Sequence, residues 1–178
     1  GHTPFGHAGE KALDEVCPLG FKHYEQSLRI VEVLEKDGNG LNLTWEVRDG
    51  IVNHGTSRHP STLEGQIVRL CDKISYIHHD MDDAERAGIL KEEDIPEKLR
   101  KLLGTSTRAR LNTFIHDIVR NSEDQDEIRM SDEIGRAMFD LRTFMFEHLY
   151  SNPLAKGEEV KARAMLGQLY EYYTEYPE

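Results

Sequence analysis

Cysteine is nearly missing from this chain: Cys17 and Cys71 are the only two, and they form no Cys-x-x-Cys pair. That excludes a disulfide framework and a cysteine-built zinc site, and a reduced, cytoplasmic setting is the simplest expectation. No apolar run approaches the roughly 18 residues of a membrane span, so no membrane partner is expected. No secretory leader is visible, and because Gly1 is not an initiating Met, a leader could have been lost. Positive charge is also scarce, with 22 Lys and Arg against 33 Asp and Glu and a formal net charge of −11. That balance repels polyanions and argues against nucleic-acid binding as the main task, unless cations are locally concentrated or a metal intervenes. The basic concentration Lys98, Arg100, Lys101, Arg108 and Arg110 is either a solvated helix face or a place where one or two side chains reach phosphate. A GxxxxGK[ST] phosphate loop, an HExxH zinc helix and a GxSxG nucleophile turn are all absent.

What is present reads as helical almost throughout. The 178 residues, 38% apolar and 31% charged, are enough for one domain with a real core. Apolar spacing and punctuation by Pro and Gly predict helices at 10–16, 21–36, 43–53, from Thr62 to about Ala87, and at 95–103, 108–122, 132–149 and 160–176. Thr62 or Ser61 is placed to cap the fourth of these, with Glu64 in its first turn. The segment 132–149 carries a stripe of Ile134, Met138, Leu141, Met145 and Leu149, suited equally to a core and to a subunit interface. Trp45, Tyr170, Tyr172, Tyr173 and Tyr176 read as core or interface residues. With no alternating strand pattern, no repeat and no dividing linker, the expectation is a single all-α unit. Residues 1–90 would form its catalytic core segment, and 91–178 a C-terminal helical part packed on that segment.

Two segments carry chemistry. The first is Gly1-His2-Thr3-Pro4-Phe5-Gly6-His7-Ala8-Gly9-Glu10, in which two imidazoles flank a stiff Pro-Phe-Gly link and a carboxylate follows. The second lies on the helix after Thr62. At about 100° per residue, Asp72, Lys73, Tyr76, Asp80 and Asp83 share one face, while Ile67, Leu70, Ile74, Ile77 and Met81 share the other. A helical wheel cannot tell whether the polar face meets solvent or substrate. His78 and His79 read as surface or supporting residues, and His79-Asp80 is no metal dyad, because successive helical side chains point about 100° apart. His54, His59, His116 and His148 have no motif context.

Together, Thr-Pro-Phe-Gly-His-Ala-Gly-Glu and Asp72-Lys73-x-x-Tyr76-x-x-x-Asp80 resemble HD-domain deoxynucleoside triphosphate triphosphohydrolases, the dGTPase-like group. Phe21-x-His23-x-x-Gln26-Ser27-Leu28-Arg29 is similar to a third segment of that family, and weaker likeness runs on past Val160. The resemblance implies an all-α, HD-domain-like helical bundle, here incomplete at its N-terminus. It also implies hydrolysis of deoxynucleoside triphosphates to deoxynucleoside and tripolyphosphate, with a divalent metal (Mg, Mn or another transition metal) held by His, His-Asp and a distant Asp. Asp72 would be that distant ligand, and the other three would precede Gly1. His7 would protonate the departing 5′ oxygen, with Glu10 setting its tautomer and charge, and His2 and His23 would donate to the phosphates. Lys73 would reach the phosphates, Tyr76 would lie beneath the deoxyribose, and Asp80 would accept from the 3′ hydroxyl. Homo-oligomers are common in this family. Other HD-type phosphohydrolases, a non-catalytic nucleotide-binding or assembly module, and a single-strand binder using the 98–110 patch are the alternatives.

Overall fold

The computed structural model describes residues 2–150 and 153–177; Gly1, the first residue of the opening motif, lies outside them. Among the described residues every regular element is helical, as expected. None of these helices is long and apolar enough to cross a membrane. The chain parts into two compact units, Gly1–Pro60 with Pro153–Glu178, and Ser61–Asn152. This is not the division expected near residue 90, because the last helix packs on the first while the central helices close on each other.

In the first unit, α1 (Gly6–Val16) leads to α2 (His23–Arg29), which continues through a π-helical turn at Ile30–Leu34. A turn, α3 (Glu35–Gly38), with Lys36 and Asp37 in left-handed conformation, separates these from α4 (Trp45–Asn53). The helix starting α1 begins four residues before the expected Glu10, and a turn explains why. Gly6 N donates to Thr3 O at 3.1 Å, and Thr3 Oγ1 donates to Gly6 O at 2.6 Å. Pro4 occupies the position of that turn that its ring favours, and Phe5 is forced to a φ of 61°. Such a conformation is strained for a bulky side chain and persists only where neighbours over-determine it.

The C-terminal helix, α9 (Pro153–Glu175), packs along α1, burying Ala12, Ala162 and Leu166. Gly9 is required there: a Cβ would lie 1.8 Å from the Pro4 carbonyl oxygen and 3.0 Å from Leu166 Cδ1. Gly9 of the opening motif is therefore a packing requirement. Tyr172, Tyr173 and Tyr176, expected in a core or interface, lie outside the core and are exposed, the Tyr172 ring meeting each of the other two, and Trp45 is exposed as well.

The second unit is built from α5 (Leu63–Arg86), α6 (Glu97–Leu103), α7 (Thr107–Ser122) and α8 (Asp132–Met145), the last continued by a π-helical turn at Phe146–Tyr150. Thr62, Ser106 and Ser131 cap α5, α7 and α8, accepting from Gly65 N, Ala109 N and Ile134 N at 3.1–3.3 Å. The core joins Ile74, Ile77, Met81 and Ala84 of α5 to Leu99, Leu103, Phe114, Ile134, Leu141 and Met145. Burying each large side chain contributes about 1.5–3 kcal/mol. The stripe of α8 thus serves the core. On α5 the expected seam is realised only from Ile74 onward, and Ile67 stays exposed.

His78 also departs from expectation, being buried with 4% exposure. Its Nδ1–H donates to Ile74 O at 2.6 Å, its ring meets Phe114 edge-on, and burial pushes its imidazole toward the neutral form. The basic stretch 98–110 does not make one surface. Arg110 is buried and bonds both Glu92 oxygens at 2.9 Å, Arg100 Nε donates to Ile95 O, and Lys101 pairs with Glu97.

Gly9→Ala should lower stability by about 1–3 kcal/mol, the cost of an over-packed contact. Gly135→Ala on α8, where a Cβ meets nothing closer than 4.0 Å, should be neutral or gain up to ~1 kcal/mol. Urea unfolding of both variants beside the parent checks the pair.

Candidate active site

The opening motif and the following helix meet through carboxylates. Glu10 and Asp14 stand one turn apart on the same face of α1. Glu10 Oε1 accepts from the backbone N of His23 at 2.9 Å and from its Nδ1 at 2.8 Å. Asp14 Oδ1 accepts from Phe21 N at 2.8 Å, and its Oδ2 pairs with Lys22 Nζ at 2.7 Å. Together they hold residues 21–23 and set the direction in which α2 departs. Glu10 lies at the first turn of α2, where unbonded amides and the helix dipole favour a carboxylate. Burial works to raise the pKa of Glu10, but the amide and ring of His23, then the charges of His23 and His7, outweigh it and hold the carboxyl below the usual glutamate value.

The chain of contacts continues beyond His23. Its Nε2 lies 3.0 Å from Nε2 of His54, the residue that closes α4, and His54 Nδ1–H donates to Ile51 O at 2.7 Å. Tyr24 meets the His23 ring edge-on, and the Arg58 guanidinium stacks over Tyr24 at 4.3 Å. The structure therefore brings Glu10, His23 and His54 into one row, while His2 and His7 are exposed. Two details differ from what the resemblance implied. Glu10 binds the ring of His23 rather than that of His7, whose influence is through charge alone. His23, expected to donate to phosphate, has both ring nitrogens engaged within the protein. His54 was missed because nothing in its spacing marks it.

In the second unit the polar face of α5 keeps its expected members together. Asp72 is exposed, and Lys73, Tyr76 and Asp80 are half-buried. Burial pushes the Lys73 ammonium to a lower pKa, the charges of Arg69 and Arg142 add to this, and Asp72 opposes it. Burial pushes the Tyr76 phenol up, against the charge and hydrogen bond of Arg142, with Asp80 and Asp72 reinforcing the rise. Arg142, on α8, is a member that sequence reasoning missed, because an exposed arginine beside buried Leu141 looks like any surface residue. Arg69, Lys73 and Arg142 concentrate positive charge locally in an acidic chain, which a phosphate-handling surface needs. Among the described residues no group of three or more His, Cys, Asp or Glu is placed to hold a metal. Asp72 is thus at most one ligand, and the described residues do not by themselves fit a divalent ion.

Comparison with known proteins places this geometry in context. Residues 128–178 match the phosphohydrolase-associated domain. A deoxyguanosinetriphosphate triphosphohydrolase-like protein of Caldanaerobacter subterraneus subsp. tengcongensis is 52% identical over 173 residues, 97% of this chain and 51% of that protein. A protein of the same description from Clostridium perfringens is 46% identical over 97% of the chain and 53% of its own length. One from Geobacter metallireducens is 32% identical over 99% of the chain and 60% of its length. Nearly the whole chain is thus similar to proteins described as deoxyguanosinetriphosphate triphosphohydrolase-like, and it spans about half the length of the curated relatives it matches.

Because the Glu10 carboxyl is held below its unfolded value, its contribution to stability is fully present above about pH 4.3, the ordinary glutamate value. It is lost as pH falls through the lower folded value. Glu10→Gln should therefore be less stable than the parent at neutral pH, and the difference should shrink as both are acidified below pH 4. Urea midpoints measured from pH 7 down to pH 3 give the two curves.

Proposed function

We propose that the protein hydrolyses deoxynucleoside triphosphates to deoxynucleoside and tripolyphosphate. The observation that carries this reading is the Glu10–His23 contact, which joins two of the segments resembling the family. It is supported by homology along nearly the whole chain to proteins described as deoxyguanosinetriphosphate triphosphohydrolase-like. The cation group Arg69, Lys73 and Arg142 supplies the positive charge that a triphosphate requires.

In this reaction water adds to the α-phosphorus and the bond to the 5′ oxygen breaks. The water's oxygen stays with the tripolyphosphate, and a proton goes to the departing 5′ oxygen. His7, exposed on α1, is the acid that supplies this proton. Glu10 and His23 hold each other, so that the carboxylate is fixed one turn along α1 from His7. This assigns His23 a supporting part in place of donation to phosphate. His2 is assigned to the phosphates. Lys73, with Arg142 beside Tyr76, neutralises phosphate charge, and the half-buried Tyr76 ring offers a platform for deoxyribose with little room for a 2′ hydroxyl. Asp80 accepts from the 3′ hydroxyl. A divalent metal, when bound, would supply charge to the α-phosphate, and Asp72 is the residue here that would contribute to holding it.

The deciding experiment incubates the full-length protein with each deoxynucleoside triphosphate and Mn²⁺ or Mg²⁺ and separates the products. Deoxynucleoside with intact tripolyphosphate supports the proposal. Pyrophosphate or phosphate points to another phosphohydrolase chemistry, and no turnover with any nucleotide, alone or mixed, points to a binding module.

Asp80→Ala should lower kcat/KM by about tenfold to a hundredfold, the worth of a hydrogen bond to a charged acceptor. Its metal content should be unchanged, and it should discriminate less against a 3′-deoxy substrate than the parent does. Steady-state kinetics with matched 3′-hydroxy and 3′-deoxy nucleotides, together with metal analysis, check this.

A further inference from the structure

The row Glu10–His23–His54 has a proton count that its geometry decides. A carboxylate and a backbone carbonyl can only accept, so Nδ1 of His23, facing Glu10, and Nδ1 of His54, facing Ile51 O, both carry hydrogen. If both rings were neutral, each Nε2 would then present a bare lone pair to the other at 3.0 Å. A contact of that length between two nitrogens is a hydrogen bond only if one hydrogen lies between them. With two, the rings would present N–H to N–H.

We propose that His54 is a positioning residue for His23, the two imidazoles sharing one proton along the Nε2···Nε2 line. The surrounding groups favour a single positive charge here. Glu10 faces it from α1, and the His54 ring follows the last turn of α4, where unpaired carbonyls and the dipole favour a cation. His7 on α1 and Lys22 before α2 act on Glu10, and beside the His23 ring lies Tyr24 on α2, with Arg58 engaged by Tyr24. Ser27 Oγ donates to His23 O at 2.7 Å and steadies the first turn that carries the ring. The shared proton fixes the His23 ring, and the ring in turn fixes the Glu10 carboxylate. His54 acts on the site through His23 and need not touch substrate. Counting the two Nδ1 hydrogens, the pair then carries three ring hydrogens and one positive charge.

The catalytic consequence rests on the proposed hydrolysis, whereas the shared proton does not, and the test separates them. The full-length protein, labelled with 15N in its histidine rings, is followed by NMR over pH, with His54→Gln and His23→Gln to assign the two rings among the nine histidines of this chain and any others. The expected spectrum shows Nδ1–H on both rings and an intermediate Nε2 signal on each, marking one hydrogen shared between them. Two rings with bare Nε2 throughout the pH range in which the protein stays folded would overturn the proposal. In parallel, kcat/KM for deoxynucleoside triphosphate is measured against pH. A glutamine amide at position 54 can donate to His23 Nε2 without titrating. His54→Gln should therefore keep the fold and most activity but lose one limb of the pH profile, while His54→Ala should fall by about tenfold at neutral pH. A His54→Gln profile identical to the parent's would also overturn the proposal. Should the parent turn over no nucleotide, the hydrolysis reading falls and the ring spectra alone decide the shared proton.

Discussion

The first unit depends on one carboxylate being where it is. Glu10 satisfies the leading backbone amide of α2 and the His23 ring with the same oxygen, and it does so from a different helix. Even with its π-helical continuation to Leu34, the segment opened by α2 is too short to persist on local propensity, and the Glu10 tie supports its start. Glu10 in turn can reach His23 only because α1 begins at Gly6, and that start rests on the strained Phe5 and the Thr3–Gly6 bonds. Gly9 then allows α1 to lie against Pro4 and the α9 residue Leu166. Thr3, Pro4, Phe5, Gly6, Gly9 and Glu10 of the opening motif thus each have a mechanical part in this unit.

The second unit reaches its chemistry by a different route. Its core holds α5 by Ile74, Ile77 and Met81, with Tyr76 packed at the edge of that seam and Asp72 exposed beside it. Half-burial then decides the electrostatics. Lys73 and Tyr76 lose solvent on the side that packs, and the neighbouring Arg69 and Arg142 shape what remains. Positive charge in this acidic chain thus gathers where α5 and α8 bring Arg69, Lys73 and Arg142 near one another, while Arg110 and Lys101 of the 98–110 stretch pair with Glu92 and Glu97.

Helices were legible wherever a punctuating residue coincided with an apolar period. Thr62 caps α5 as its hydroxyl predicts, and α5 ends just before Gly88, whose φ is +67°. The start of α1 is not legible in the sequence, because a turn stabilised by Thr3 and Pro4 has no periodic signature. Burial of His78 was hidden because only the fold shows that α7 brings Phe114 against that side of α5. The motif residues were readable as words, but their pairing was not: Glu10 with His23 spans 13 positions, and His23 with His54 spans 31. Arg142 comes from a helix read for its apolar stripe, and no one-dimensional pattern links it to Tyr76.

The central claim is that Glu10 and His23 act as a unit that organises the catalytic group. A double-mutant cycle with Glu10→Gln, His23→Gln and the pair, read in both unfolding free energy and kcat/KM, addresses it directly. The account requires the two substitutions to be strongly non-additive in both readouts, with a coupling well above ~0.5 kcal/mol. Additive effects in both would contradict it.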